Sequence, residues 1–275
     1  MKKLFICLLT IFLLMPACRS EAGVYRALSA GVSNYDDGRV RVGGINSTKG
    51  VYDALSRCYG PGYSFLSSMI IDFTSDELFS AIASCFEEAA ENDVSFLYIN
   101  AHGGCEGGIS WIETRDGSVI TASELEKSLR GIPGKVILFL DACNSGGSIG
   151  NQTRFAGGFA DVFGLNSFAS DKYTVCVSCL FDENSYRVTA SSASEESVST
   201  VFSRAVCEGL GWDLIGDRST ALKADSDLDR QVTFFELVAY SRRRCMFYLS
   251  SSQNRQTINF FCADPSFVLA DRKGL

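Results

Sequence analysis

The sequence predicts an α/β fold, a three-layer sandwich in which a mostly parallel central sheet is flanked by helices. First, strand-like apolar runs alternate with helix-like segments along the chain, as a parallel sheet requires. Second, two strand-like runs of the buried type, Val94 to Asn100 and Lys135 to Leu140, are separated by one helical crossover. Third, a domain of about 250 residues is long enough to bury one large core.

The amino-terminal half alternates strand and helix. Tyr25 to Val32 is predicted as the first strand, and a helix is expected from about Ser47 to Cys58. Thr74 to Glu77 has a hydroxyl and a carboxylate three residues apart, which is a capping box. A second helix should therefore begin there and run to about Glu91.

Later segments continue this order. The Gly-rich stretch from Gly107 to Val119 is expected to form a hairpin, and Thr121 to Glu124 repeats the capping-box pattern before a third helix. Pro133 should end that helix. Near the carboxyl end, a helix from Phe234 to about Tyr248 is expected to bury four apolar side chains: Phe235, Leu237, Val238 and Phe247.

The first 22 residues have the layout of a signal peptide. Two lysines precede an apolar run from Leu4 to Met15, which is short for a membrane span. Cleavage near Ala22 would leave residues 23–275 as one exported domain, whereas an imperfect lipobox ending in Cys18 would give a lipoprotein. We expect a periplasmic, secreted or cell-envelope protein that contacts a membrane only through a lipid anchor at Cys18.

Charge and cysteine content narrow the class of protein. The formal net charge is −7 and there is no basic tract, so a nucleic-acid partner is not expected, whereas a cationic substrate would be attracted. The chain has 11 cysteines, but their pairing cannot be read from spacing. Cys176 and Cys179 are either a redox or zinc pair or, as we favour, part of strand packing.

His102, the single histidine of the chain, and Cys143 each lie just past the carboxyl end of a predicted strand. Open α/β sheets gather their chemistry at that edge, and neighbouring strands would bring the two side chains within reach of each other. An imidazole can take the proton of a thiol, and the resulting thiolate attacks a carbonyl carbon. The two residues therefore indicate a catalytic dyad, which requires no cofactor.

Glycines follow both residues, as Gly103-Gly104 and Gly146-Gly147. They allow a peptide backbone to approach closely, and the backbone N–H groups of Gly103 and Cys143 are the expected donors to an oxyanion. The simpler interpretation is that a solitary histidine is structural and a buried cysteine is packing. The matching position of both residues at strand ends favours catalysis.

The segments Phe96 to Gly104 and Val136 to Gly146 resemble the histidine and cysteine strands of the caspase-like cysteine peptidases, which include caspases, metacaspases, legumains and clostripain-like enzymes. Tyr25 to Tyr35 and Thr189 to Ser197 resemble further pieces in the family's order. The resemblance implies a caspase-like fold that hydrolyses a protein or peptide substrate, with Cys143 as nucleophile and His102 as general acid/base.

Two further expectations follow from this resemblance. Asp141, two residues before the nucleophile, matches an acidic position that pairs with Arg or Lys before the cleaved bond, so cleavage after basic residues is expected. The alternative is that Asp141 only accepts hydrogen bonds at the strand end. Self-cleavage between Asn144 and Lys172 is a second expectation, because several relatives are cut there during activation.

An acidic stretch from Asp225 to Glu236 has the ligand spacing of an EF-hand calcium loop. Arg230 occupies the sixth position, where glycine normally makes the turn, and it weakens the expected affinity. A calcium site and a helix-capping turn both remain open. The candidate ligands are Asp225, Asp227, Asp229, Gln231 and Glu236.

Two other functions compete with an active peptidase. The first is a catalytically silent caspase-like domain that serves as a binding or scaffold module. The second is calcium-dependent adhesion, which rests on the acidic stretch alone. The presence of both His102 and Cys143 favours the peptidase.

Overall fold

The computed structural model of the chain describes residues 23–57, 64–107, 109–145, 172–188, 198–262 and 264–273. Several predictions concern residues outside these ranges: the signal peptide with Cys18, the end of the first helix at Cys58, and the resemblance of Thr189 to Ser197. The segment predicted for self-cleavage, Asn144 to Lys172, lies outside them from residue 146 to residue 171.

The described residues contain five helices and fifteen strands. The helices are α1 (Gly44–Ser56), α2 (Ser75–Phe86), α3 (Ala122–Leu129), α4 (Val201–Gly209) and α5 (Phe234–Leu249). The strands are β1 (Val24–Gly31), β2 (Ser64–Ile71), β3 (Val94–Asn100), β4 (Gly103–Glu106), β5 (Ile109–Glu113), β6 (Val119–Thr121), β7 (Lys135–Asp141), β8 (Tyr173–Val177), β9 (Arg187–Val188), β10 (Ser199–Thr200), β11 (Trp212–Asp213), β12 (Arg218–Ser219), β13 (Gln231–Thr233), β14 (Asn259–Cys262) and β15 (Val268–Asp271).

The central sheet has six strands in the order β14-β8-β7-β3-β1-β2. All neighbouring pairs are parallel except β14 with β8, which is antiparallel. The prediction of a mostly parallel sheet is therefore confirmed. β3 and β7 lie in the middle and are buried along almost their whole length, because helices cover both faces of these strands.

The two faces of the sheet carry separate layers of core. Phe96 and Phe139 point to the face covered by α1, α4 and α5, where they pack near Phe202. Leu97 and Leu138 point to the opposite face, which α2 and α3 cover. This alternation follows from the two-residue repeat of a strand, and each fully buried Phe or Leu side chain contributes roughly 1.5–3 kcal/mol.

Both predicted capping boxes are present. Thr74 Oγ1 accepts the N–H of Glu77, whose carboxylate accepts the N–H of Thr74, and the same exchange starts α3 at Thr121. α2 ends at Phe86 rather than near Glu91. The helix stops early because residues 87–93 form turns, in which the Asp93 carboxylate accepts the N–H of Ala90 and the chain returns to β3.

The prediction that helix α5 buries four apolar side chains is partly wrong. Leu237 and Val238 are buried as predicted, but Phe235 and Phe247 are exposed. Phe234 already fills the inward position, so the next residue, about 100° further around the helix, points outward. α5 is the longest helix described, and none of the helices in the described ranges is long and apolar enough to cross a membrane.

The Gly-rich region forms a small antiparallel sheet of three strands, β4-β5-β6, rather than a single hairpin. It begins at Gly103, directly after His102, and the carbonyl of His102 accepts the N–H of Glu113 at 2.9 Å. This small sheet therefore anchors the backbone of the histidine loop.

Candidate active site

Two central strands bring His102 and Cys143 to the same edge of the sheet. Asn100 at the end of β3 is in register with Asp141 at the end of β7, and His102 and Cys143 each follow two residues later. Both line one cleft of about 310 Å³. The remaining lining residues are Val40, Arg41, Asn184, Ser185, Tyr186 and Arg187. The structure thus brings together the two residues that the strand ends predicted.

Tyr35 fixes the backbone and ring of His102. Its hydroxyl accepts the N–H of His102 at 2.9 Å, and the two ring centroids are 5.0 Å apart. Burial raises the pKa of Tyr35 to about 12, so the hydroxyl remains neutral. Tyr35 and the β4–β5 pairing together hold the imidazole at the mouth of the cleft.

The surroundings of His102 favour its neutral form. Partial burial lowers the pKa of the imidazole, and the nearby positive charge of Arg41 lowers it further. Glu113 acts in the opposite direction, but its effect is smaller than those of burial and Arg41. A neutral imidazole can accept a proton from a thiol, which is the state that a general base requires.

Cys143 is half-buried and lies against the opposite wall of the cleft. The N–H of Ser185 donates to Cys143 Sγ at 3.3 Å, and a donor in this position stabilises a thiolate. The following residue, Asn144, has a left-handed backbone with φ of 55°, and its side-chain amide donates to the carbonyl of Phe181. This turn ends β7 sharply and leaves the sulfur at the cleft.

Gly103 is required by a close approach of two backbones. A Cβ at this position would lie 2.5 Å from the carbonyl oxygen of Cys143 and 2.9 Å from Cβ of Ala142. A side chain would therefore push the histidine loop away from the cysteine loop. The two predicted oxyanion donors, Gly103 and Cys143, lie on these adjacent backbones, and their role stays a prediction.

Two solved structures share this architecture. Caspase-1 from Spodoptera frugiperda matches with a TM-score of 0.62 and 13% sequence identity, over 93% of this chain and 93% of the caspase chain. The fold is caspase-like. A protein from Geobacter sulfurreducens matches with a TM-score of 0.57 and 15% identity, over 91% of this chain and 98% of that chain. No protein-family model and no curated protein matches the sequence.

Asp141, which was predicted to bind the substrate, is completely buried and does not line the cleft. Its carboxylate accepts hydrogen bonds from four side chains. These are Tyr98 at 3.0 Å, Asn100 at 2.9 Å, Ser185 at 2.7 Å and Thr200. Asp141 therefore joins the ends of β3 and β7 to the cleft wall and to the start of α4, and its role in substrate choice stays a prediction.

Arg41 and Arg187 are site residues that the sequence did not reveal. Arg41 is buried, lines the cleft and donates to the side-chain oxygen of Asn100. The side-chain N–H of Asn100 in turn donates to the carboxylate of Asp141. Arg187 is exposed at the opposite wall. Arg41 lies in an irregular segment and Arg187 begins the two-residue strand β9. In such segments no periodic pattern marks a residue as part of a site.

The acidic stretch begins in the loop after α4, continues through β13 and ends in the first turn of α5. Oxygen atoms of Asp225, Asp227 and Asp229 lie within 4.8 Å of one another, which suits a hard cation. Arg230 adopts the left-handed turn with φ of 67° at the position where glycine was expected. The backbone at Arg230 therefore makes the turn that the EF-hand spacing requires at its sixth position, although the residue is not glycine.

Other contacts compete with a metal ion in this loop. The Lys273 ammonium lies 2.9 Å from Asp229. Both carboxylate oxygens of Glu236 accept hydrogen bonds, from Ser226 and from the Thr233 cap of α5. Gln231 donates its side-chain amide to Asp271. Glu236 thus performs the alternative capping role, and calcium binding by this stretch stays a prediction.

Seven cysteines of the described ranges are free thiols: Cys85, Cys105, Cys143, Cys176, Cys179, Cys245 and Cys262. Cys176 is buried within β8, as strand packing predicts, and burial raises its pKa. Cys179 is also buried and donates to the carbonyl oxygens of Ala142 and Glu183 beneath the Cys143 loop. Among the described residues the group of side chains that could hold a metal ion consists of the three aspartates and does not include Cys176 or Cys179.

Proposed function

We propose that this protein is a cysteine endopeptidase in which Cys143 is the nucleophile and His102 the general acid/base. One observation carries the proposal: His102 and Cys143 follow adjacent parallel strands at the same offset and line one cleft. The caspase-like fold supports a hydrolase of this class, and a protein or peptide is the substrate that an open cleft between two loop walls can accept.

The reaction would proceed through an acyl-enzyme. Neutral His102 takes the thiol proton, and Cys143 Sγ attacks the peptide carbonyl carbon while N–H groups of Gly103 and Cys143 stabilise the oxyanion. His102 then gives its proton to the leaving amine as the C–N bond breaks. A water molecule, deprotonated by His102, hydrolyses the thioester and restores the thiol, so the cycle needs no cofactor.

Two types of residue are candidates for the position before the cleaved bond. Preference for Arg or Lys rests on Asp141, whose carboxylate already has four protein donors. The charges that line the cleft are instead the guanidinium groups of Arg41 and Arg187. They would repel a basic side chain and attract an acidic one, so we place an acidic residue before the cleaved bond as the second candidate.

The deciding experiment compares purified protein with Cys143→Ala and His102→Ala on fluorogenic peptides that end in Arg, Lys, Asn or Asp. We expect hydrolysis by the native protein and none by either variant. Cys105→Ala is the matched control because Cys105 is also a half-buried free thiol. Equal activity in Cys143→Ala would exclude the mechanism, and a native protein inactive on all peptides would favour the silent binding domain.

Export is a further part of the proposal. The basic start and apolar run of residues 1–22 support a signal peptide, with cleavage near Ala22 or lipidation of Cys18 as the two outcomes. Mass spectrometry of the protein recovered from its native cell distinguishes them. A mature chain starting near Gly23 indicates a free exported protein, a lipid adduct on Cys18 indicates an anchor, and an intact Met1 contradicts export.

A further inference from the structure

A second hollow of about 260 Å³ adjoins the catalytic cleft on the segment between β1 and α1. Val40 lines both hollows. Arg41 lines only the cleft, whereas Val42 and Ile45 line only the second hollow. The two spaces therefore adjoin each other at Val40.

The second hollow has an apolar wall that is accessible from outside. Val40 is 59% exposed and Ile45 is 42% exposed. Single exposed apolar side chains are common on proteins and carry no meaning. Here Val40, Val42 and Ile45 face one concave space that opens beside a proposed reaction centre, and such clustering is typical of a binding surface.

Hydrogen bonds hold the hollow in shape. The Asp72 carboxylate accepts the N–H groups of Ser33 at 2.6 Å and Asn34 at 2.9 Å, and Asn34 forms an antiparallel bridge with Val40. At the base, Gly43 has a left-handed φ of 87°, and a Cβ there would lie 2.9 Å from the Val198 carbonyl oxygen. The space therefore exists before any ligand arrives, which reduces the entropic cost of binding.

We propose that this second hollow is a subsite for one apolar side chain of the peptide being cut, close in sequence to the cleaved bond. The inference rests on the proposed peptidase function. The hollow is smaller than the roughly 300–1,000 Å³ of a site for a separate small molecule, and it suits a single side chain. An extended peptide advances about 3.3–3.6 Å per residue, so a chain bound at Cys143 passes Val40 within a few residues.

The test uses internally quenched peptides, which report cleavage whichever side of the bond carries the recognised side chain. The residue before the bond is the one that the native protein cuts best, and each flanking position in turn is Leu or Ser. We expect the native protein to prefer Leu at one flanking position by about tenfold in kcat/KM, the size of effect typical of an apolar pocket.

Two variants locate that preference. Ile45→Ser removes part of the wall, and Val40→Thr replaces a methyl group with a hydroxyl at the shared side chain. Both should reduce the ratio of Leu to Ser peptides toward one. Val119→Thr is the matched control, because Val119 is 48% exposed on β6 and does not line either hollow, and it should leave the ratio unchanged.

The outcomes separate the two proposals. Hydrolysis with equal kcat/KM for Leu and Ser at every position overturns the subsite but leaves the peptidase intact. A Leu preference that survives in both Ile45→Ser and Val40→Thr also overturns the subsite. Absence of hydrolysis of every peptide by the native protein overturns the peptidase, and the subsite with it.

Discussion

The cleft at His102 and Cys143 and the acidic stretch differ in how their functional groups come together. The cleft combines side chains from separate parts of the chain, with His102 after β3, Cys143 after β7 and Arg41 before α1. The acidic stretch is one continuous segment whose carboxylates mainly accept N–H groups of the same segment. A short spacing in sequence thus places ligands near each other, but it also supplies internal partners that compete with a metal ion.

The largest expected effect tests whether peptide hydrolysis depends on the cleft and not on the acidic stretch. Cys143→Ala should lower kcat/KM by at least about a thousandfold, because the nucleophile is lost. Asp227→Asn, a change in the acidic stretch, should leave kcat/KM unchanged in the absence of calcium. A large loss of activity in Asp227→Asn would show that the two regions are not independent.

The next effect concerns stability and contrasts a buried with an exposed carboxylate. Asp141→Ala should lower the free energy of unfolding by about 3 kcal/mol, because Tyr98, Asn100 and Thr200 lose their buried acceptor. Asp227→Ala should change it little, since the side chain is exposed. Urea denaturation followed by circular dichroism measures both, and equal stability of the two variants would contradict the role given to the Asp141 network.

A smaller effect is expected in the pH dependence of kcat/KM. Burial and Arg41 lower the pKa of His102, so the active neutral form persists below the ordinary value of 6.5 and the acid limb of the profile should lie below that pH. Arg187→Ala removes a charge that lowers this pKa, so the limb should move to higher pH, whereas Glu113→Gln should move it to lower pH. Shifts in the opposite directions would exclude His102 as the group that titrates.

The smallest effect concerns the acidic stretch. Millimolar calcium should raise the melting temperature slightly if the three aspartates bind it, and Lys273→Ala should enlarge this shift, because it removes a competing cation 2.9 Å from Asp229. Lys223→Ala is a control of the same charge, because no salt bridge links Lys223 to an aspartate of this loop among the described residues. A melting temperature that does not respond to calcium in either protein would leave the stretch as a helix-capping turn.

Much of the fold followed from local patterns. The apolar runs predicted β3 and β7, and the hydroxyl and carboxylate spacing predicted the starts of α2 and α3, because these features depend on neighbouring residues. The exposed face of α5 was missed because a run of apolar residues does not show which of them faces inward. Phe234 occupies the core position, and Phe235 therefore does not.

The site was predictable only in part. His102 and Cys143 could be found because parallel strands end at a common edge. Arg41, Tyr35 and Ser185 could not, because their positions depend on how irregular segments fold back over that edge. The surroundings of Asp141 were hidden for the same reason, since all four of its partners are distant in sequence.

The contact between Cys143 and Ser185 spans 42 residues of sequence. A ribosome releases Cys143 well before Ser185, so a growing chain carries the sulfur without the wall that stabilises it. The same holds for any fragment that ends soon after β7. We therefore expect the sulfur of Cys143 to gain its stabilising donor only late in synthesis, once Ser185 has emerged.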